Sequence, residues 1–418
     1  MTSCKIPGFR SVPETGVIYV TKKASNLGFT YDNPEWANLG QGSPEVGDLP
    51  GAPPRITKLD INPSQNRYSS VSGNMELRQS VADFYNKIFR EGKSSQYTYE
   101  NVCIAGGGRI ALSRLAAALG NINMGHFLPD YTAYEELLGI FKAFTPIPIL
   151  LDEASGYQIS LDELRNEVMG RGLRALLISN PCNPTGQVIM DDLLRQWVDL
   201  AREIEFSLIF DEFYSHYIYP ESGEETCKMV SAAAFVEDVN EDPVIIVDGL
   251  TKNWRYPGWR MSWTVGPKSV IETVASAGSF LDGGANHPFQ SESCALLDVE
   301  TSLQETRAIQ KQFLKKRAYL IDRLKSLDVM IENEPRGGFY IWANLSNLPE
   351  PINDGLRFFE EGLKEKIITV PGVFFDVNPS RKRFVRRYQN YCRVSFGPEM
   401  ETLELGMDAL ERVIKKFK

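Results

Sequence analysis

The chain reads as an α/β protein, with a large, mostly parallel, doubly wound sheet domain followed by a smaller α+β domain. Three observations predict this. Short β-branched or apolar runs alternate with helical segments through the middle of the chain, the pattern of strands joined by crossover helices. Beyond residue 304 the pattern changes to one long charged helix and three short strand-like runs. The length of 418 residues exceeds one ordinary core and suits two or three domains.

In chain order, residues 1–72 are rich in Gly, Pro and Asn and read as irregular chain crossing a surface. Residues 1–50 are expected to join the small domain. A helix is expected from Met75 to about Gly92. Leu77, Val81, Phe84, Tyr85, Ile88 and Phe89 give it one apolar face, Asn74 can cap its start and Gly92 can end it. Strands are expected at Val102–Ala105, Leu173–Ser179, Phe206–Phe210, Val244–Val247 and Met261–Val265, within a large domain of residues 51–304. The charged helix Glu305–Leu327 opens a small domain of residues 305–418. Strands at Phe339–Ala343, Ile367–Val370 and Tyr391–Ser395 and a closing helix Glu399–Phe417 complete it.

Composition excludes several classes of function. A net charge of −9 leaves no basic footprint for nucleic acid or an anionic membrane. No apolar stretch approaches the ~18 residues of a membrane span. Met1-Thr2-Ser3-Cys4-Lys5 lacks a hydrophobic signal core, so the cytoplasm is the expected location. The cysteines at 4, 103, 182, 227, 294 and 392 form no C-x-x-C pair, and His126, His216 and His287 share no ligand spacing, so no metal site is expected.

Polar residues gather at strand ends. Open α/β sheets bind ligands outside the carboxyl ends of their strands, and Asn183, Asp211 and Lys252 each fall at or just after such an end. Ala105-Gly106-Gly107-Gly108-Arg109-Ile110-Ala111-Leu112 joins a strand to a helix, where backbone N–H groups can cradle a phosphate. The same stretch fits the dinucleotide pattern G-x-G-x-x-A, with Asp130 near the acidic position, and also fits a plain tight turn; all three readings stand at this point. Ser179-Asn180-Pro181-Cys182-Asn183-Pro184-Thr185-Gly186 is more specific, because two Asn-Pro pairs fix the loop and aim Asn183. Ile209-Phe210-Asp211-Glu212-Phe213-Tyr214 puts an acid at the end of an apolar strand, which is costly unless the acid is paired. Gly249-Leu250-Thr251-Lys252 follows the run Val244–Val247, and Gly258-Trp259-Arg260 comes shortly after. Tyr391-Cys392-Arg393-Val394-Ser395-Phe396-Gly397 carries an arginine within a strand.

Together these motifs, in this order over residues 38–397, resemble the class I/II aminotransferases. That family is of fold type I, is aspartate aminotransferase-like, and depends on pyridoxal 5'-phosphate (PLP). The resemblance implies that Lys252 forms a Schiff base with PLP and acts as general acid/base. It implies that Asp211 pairs with the pyridine nitrogen, that Asn183 and Tyr214 bond the phenolic oxygen, and that Gly108, Arg109 and Arg260 anchor the phosphate. Arg393 would clamp the substrate α-carboxylate, with Asn183 beside it. Tyr131, in Pro129-Asp130-Tyr131-Thr132-Ala133-Tyr134, matches the aromatic that stacks on the pyridine ring, although Trp or Phe is usual there. Tyr68 resembles the tyrosine that reaches the phosphate of a partner subunit, which implies a homodimer with shared sites. Asn38-Leu39-Gly40-Gln41-Gly42-Ser43-Pro44-Glu45 resembles the family's N-terminal G-x-P-D loop, with Gly42 passing close to substrate and Glu in place of Asp. Gly249 stands where some members carry a phosphate-binding serine, and Thr251 is the candidate to replace it. The implied reaction moves an amino group between an amino acid and a 2-oxo acid. The alternatives are a C–S β-lyase, a cyclising synthase or a PLP oxidase of the same fold, or an NAD-binding dehydrogenase. No arginine lies in residues 281–290, which reach the partner's site in relatives, so a neutral or aromatic side chain is expected on the substrate.

Overall fold

The computed structural model describes residues 6–9, 12, 14, 16–220 and 227–418. Met1–Lys5, with Cys4, lie outside the described residues. The strands in chain order are β1 (Ala37–Asn38), β2 (Val102–Ala105), β3 (Asn123–Leu128), β4 (Thr145–Leu150), β5 (Leu173–Ser179) and β6 (Ser207–Asp211). They continue with β7 (Val244–Gly249), β8 (Ser262–Val265), β9 (Tyr340–Asn344), β10 (Ile367–Ile368), β11 (Val370–Pro371) and β12 (Tyr391–Ser395). A seven-stranded sheet has the order β2-β8-β7-β6-β5-β3-β4. It is parallel except for β8, which runs against both of its neighbours. A three-stranded antiparallel sheet, β11-β12-β9, lies C-terminal to it, and β1 pairs with β10 in parallel.

The large sheet is covered on both faces, which is why its central strands are apolar throughout. Successive residues alternate between two cores: Leu176, Ile178, Leu208, Phe210 and Ile246 enter one. Ala175, Leu177, Ile209, Ile245 and Val247 enter the other. Polar groups stand at or just after the carboxyl ends of β5, β6 and β7, at Ser179, Asp211 and Lys252.

Several expectations need correction. Residues 1–72 are not all irregular, because Gly16–Ser25 is a helix that buries Val20 and Ala24. The helix from Met75 ends at Phe89, not near Gly92. The Arg90 guanidinium is buried on the carbonyls of Ala233 and Val236, at 2.9 and 2.6 Å, and draws the chain off the helix axis. Asn74 sits at the start of that helix without a side-chain cap bond; its backbone N–H donates to Gln290 instead. The long helix begins at Val299, where the Asp298 side chain caps it, and so runs across the 304/305 boundary. The single strand expected at Ile367–Val370 is two: β10 pairs with β1 and β11 with β12. Strands β3 and β4 were not anticipated. Pro146 and Pro148 hid β4, which tolerates them because it is the edge strand.

Candidate active site

A cavity of about 370 Å³ opens at the carboxyl ends of β5, β6 and β7. That size suits a cofactor or small ligand. Gly108, Arg109, Tyr131, Asn183, Asp211, Tyr214, Thr251, Lys252 and Arg260 line it, together with Leu112, Ser179 and Phe213.

The loop after β5 is rigid for local reasons. The Asn180 side chain accepts from the Ile189 N–H and donates to the Ile189 carbonyl, both at 2.8 Å, and the Asn183 N–H donates to the Ser179 hydroxyl. Asn183 is thereby aimed into the cavity. Its Oδ1 accepts a 2.9 Å bond from Arg393, whose other terminal nitrogen donates to the Gly40 carbonyl at 2.6 Å. Arg393 is 1% exposed, has no carboxylate partner among the described residues, and keeps its Nε unbonded.

Asp211 is the last residue of β6 and is buried. Tyr134 donates to its Oδ2 at 2.6 Å. Burial raises this carboxyl to about 6, against the pull of the Tyr134 bond, the Phe213 amide and the Lys252 charge. Glu212 next to it is pushed up to about 8 by burial, and Asp248 and Asp130 are raised well above the usual range for the same reason.

Lys252 stands three residues beyond β7, and its amine contacts the Gly42 carbonyl. Its enclosure, and then the charges of Arg393, Arg260 and Arg109, push the amine down to about 7. Such an amine carries a substantial neutral fraction at neutral pH and is a nucleophile there. Gly249 cannot carry a side chain in this packing, because a Cβ would lie 2.5 Å from the Met261 carbonyl oxygen. That is the physical reason no serine stands there.

At the opposite end, Arg260 has left-handed backbone (φ 52°), and its guanidinium fills the space that a Cβ on Gly107 would need. Gly107 caps the helix Gly108–Ala118 at φ 100°, so the free N–H groups of the first turn face this end. Arg109 donates to the Tyr131 hydroxyl at 3.2 Å. Thr251 Oγ1 is buried with no hydrogen-bond partner. Two guanidiniums, an unbonded hydroxyl and a helix N-terminus could together hold a phosphate. With the acid of Asp211 across the cavity and the Lys252 amine between, the residues fit PLP.

The structure brings Gly42 and Arg393 to the cavity rim but leaves Tyr68 99% exposed and outside the cavity lining. It adds Tyr134, on Asp211, and Tyr340, whose hydroxyl lies 2.8 Å from that of Tyr214. Tyr134 was in plain view three residues after Tyr131, but nothing local tied it to Asp211. The dinucleotide reading of the glycine loop fails, because Asp130 is buried and accepts from its own neighbour's N–H, out of reach of any ribose.

Fold and cavity together define a PLP enzyme of the doubly wound α/β type. Residues 34–410 match the family model for aminotransferase class I and II, and the chain belongs to that family. It is a PLP-dependent aminotransferase, a transferase of nitrogenous groups. It is 24% identical over 382 residues to an aspartate aminotransferase of Pyrococcus horikoshii, covering 90% of each chain. It is 26% identical over 387 residues to aromatic-amino-acid aminotransferase 2 of Thermococcus litoralis, covering 91% of this chain and 92% of the relative. Among solved structures, Thermus thermophilus aspartate aminotransferase with maleate superposes with a TM-score of 0.78 at 21% identity, over 97% of this chain and all of that one. N-succinyldiaminopimelate aminotransferase of Mycobacterium tuberculosis gives the same score and identity, over 96% and 97%.

Proposed function

We propose that amino transfer is carried out at the Lys252 cavity, between a neutral or aromatic amino acid and a 2-oxo acid. The observation that carries this is the Lys252 amine, held near neutrality between a cationic end and an acidic end of one cavity. Lys252 holds the cofactor. Gly108, Arg109, Thr251 and Arg260 bind its phosphate, Asp211 its ring nitrogen, and Asn183 and Tyr214 its phenolic oxygen, with Tyr131 against the ring. When bound, PLP supplies an electron sink that acidifies the Cα–H bond of the amino acid. Arg393 binds the α-carboxylate and so orients that bond. Lys252 Nζ, once free, takes the Cα proton and returns it as general base and acid. Tyr134 keeps Asp211 in place while Asp211 holds the positive ring nitrogen.

The lack of an arginine in residues 281–290 supports a neutral or aromatic substrate. The relatives include both an aspartate and an aromatic-amino-acid aminotransferase, so a panel of amino donors decides the side chain. We place the large domain at residues 51–304 and the small one at 305–418, with residues 1–50 joining the latter. A homodimer with shared sites gives Tyr68 its role, as an exposed side chain that reaches the partner's phosphate end. The described cysteines are all free thiols, which supports a reducing, cytoplasmic location. Among the described residues no helix is long and apolar enough to cross a membrane.

The test is borohydride reduction of the PLP-loaded protein followed by peptide mapping. The cofactor should be fixed on the peptide containing Lys252, and Lys252→Ala should retain the fold while losing turnover. Label on another lysine refutes the site.

A further inference from the structure

Tyr340 occupies a position that the roles above leave unused. It lies on β9, diagonal to Arg393 on β12, because Arg393 is paired with Trp342 in the antiparallel register. The Arg393 guanidinium sits 4.1 Å from the centre of its ring. Its hydroxyl is 2.8 Å from the Tyr214 hydroxyl, with the two rings edge to face at 5.5 Å. A Cβ on Gly42 would stand 2.7 Å from that same hydroxyl. One buried side chain therefore touches the carboxylate clamp, the donor to the cofactor oxygen and the N-terminal loop.

We propose that Tyr340 is a positioning residue that couples the two halves of the site, its ring supporting Arg393 and its hydroxyl donating to Tyr214. This rests on the roles given above to Tyr214 and Arg393. The direction of the hydrogen bond follows from proton count. Each hydroxyl has one proton, and if Tyr214 gives its own to the cofactor's phenolic oxygen, the proton between the two tyrosines belongs to Tyr340. Burial raises both phenols, so neither loses its proton near neutral pH. A hydroxyl that accepts one hydrogen bond donates a stronger one. Tyr340 thus strengthens the Tyr214 bond without touching the cofactor. Gly42 is held to glycine by the same hydroxyl, so the loop that passes the substrate is fitted to Tyr340.

Tyr340→Phe keeps the ring and removes the hydroxyl. A weaker donor to the phenolic oxygen leaves the nitrogen carried by Lys252 more basic. The pH midpoint of the visible absorbance of the loaded enzyme should rise by roughly 0.3–0.6 unit, the cooperative share of one charge-assisted bond. The kcat should fall several-fold, with KM for the amino acid nearly unchanged. Tyr340→Leu removes the ring as well, and KM should then rise too. If Tyr340→Phe does not fold, Gly42→Ala serves instead, since its methyl must displace the hydroxyl and should move the midpoint in the same direction. An unmoved midpoint in either variant, with the borohydride label still on Lys252, overturns the coupling alone. A label elsewhere overturns the site assignment on which it rests.

Discussion

Two buried arginines divide the molecule into a part that is finished and a part that is waiting. Arg255, three residues beyond Lys252, is fully buried and pairs with Glu305 at 2.6 Å; it also donates to the carbonyls of Glu45 and Gly47. Arg393, on the three-stranded sheet, is equally buried and has no acid among the described residues. A buried charge is costly unless something neutralises it. Where the fold supplies an acid, as for Arg255, the arginine ties elements together. Arg90 is satisfied by carbonyls alone, and Arg393, which bonds the cavity residue Asn183, is the one that the reading proposed above pairs with the substrate carboxylate. The acids divide along different lines. Asp211 lines the cavity, whereas Asp248 is buried against Asn253 and the Gly249 amide and is not among the residues that line it.

The largest effect is expected at Asp211, the acid that lines the cavity. Asp211→Asn should still bind PLP but lose on the order of 3–5 kcal/mol of transition-state stabilisation, as for one partner removed from a buried pair. Single-turnover Cα deprotonation at the wild-type rate would reject that role. Next comes Arg393→Ala, which should cost about 2–4 kcal/mol in kcat/KM for amino acids and much less for the matching amines. PLP content should not change. Arg255→Ala is the contrast: it should lower thermal stability without distinguishing amino acid from amine. Equal losses on both substrates for Arg393→Ala would move Arg393 into the finished class. The smallest effect is that of Thr251→Val. It removes one unbonded hydroxyl from the phosphate end and should weaken PLP binding by about 1 kcal/mol, read by equilibrium dialysis. Unchanged affinity would mean that Arg109 and Arg260 suffice.

The convergence of Asn183, Asp211 and Lys252 on one cavity is legible in the sequence because each is presented locally. Asn183 is fixed by its own loop, Asp211 by its place at the end of β6, and Lys252 by the turn after β7, so short motifs carry them. The surroundings of Arg393 are assembled from segments far apart in the chain. Arg393 reaches Gly40, and Tyr340 reaches Tyr214, through pairings that no local pattern encodes. Tyr340 follows two glycines in an apolar strand and reads as core, and only the antiparallel register of β9 and β12 brings it under Arg393. Strand β4 was missed for a different reason, since its prolines are compatible only with the edge position that the sheet gives it.

The bond from Arg393 to the Gly40 carbonyl joins residues 353 positions apart in the chain. Chains leave the ribosome N-terminus first, and domains fold largely as units as they emerge. The strands of the seven-stranded sheet lie between residues 102 and 265, so this sheet can close while Gly40 still has no partner. The Gly40 carbonyl must then wait for β12, although Gly42 and Glu45 in the same segment can already meet Lys252 and Arg255. Such distant contacts form late, because they bear the entropy of closing the longest loop. On that order the cavity at the ends of β5, β6 and β7 is expected to form before Arg393 reaches Gly40, so in the reading proposed above the cofactor end of the site precedes the substrate end.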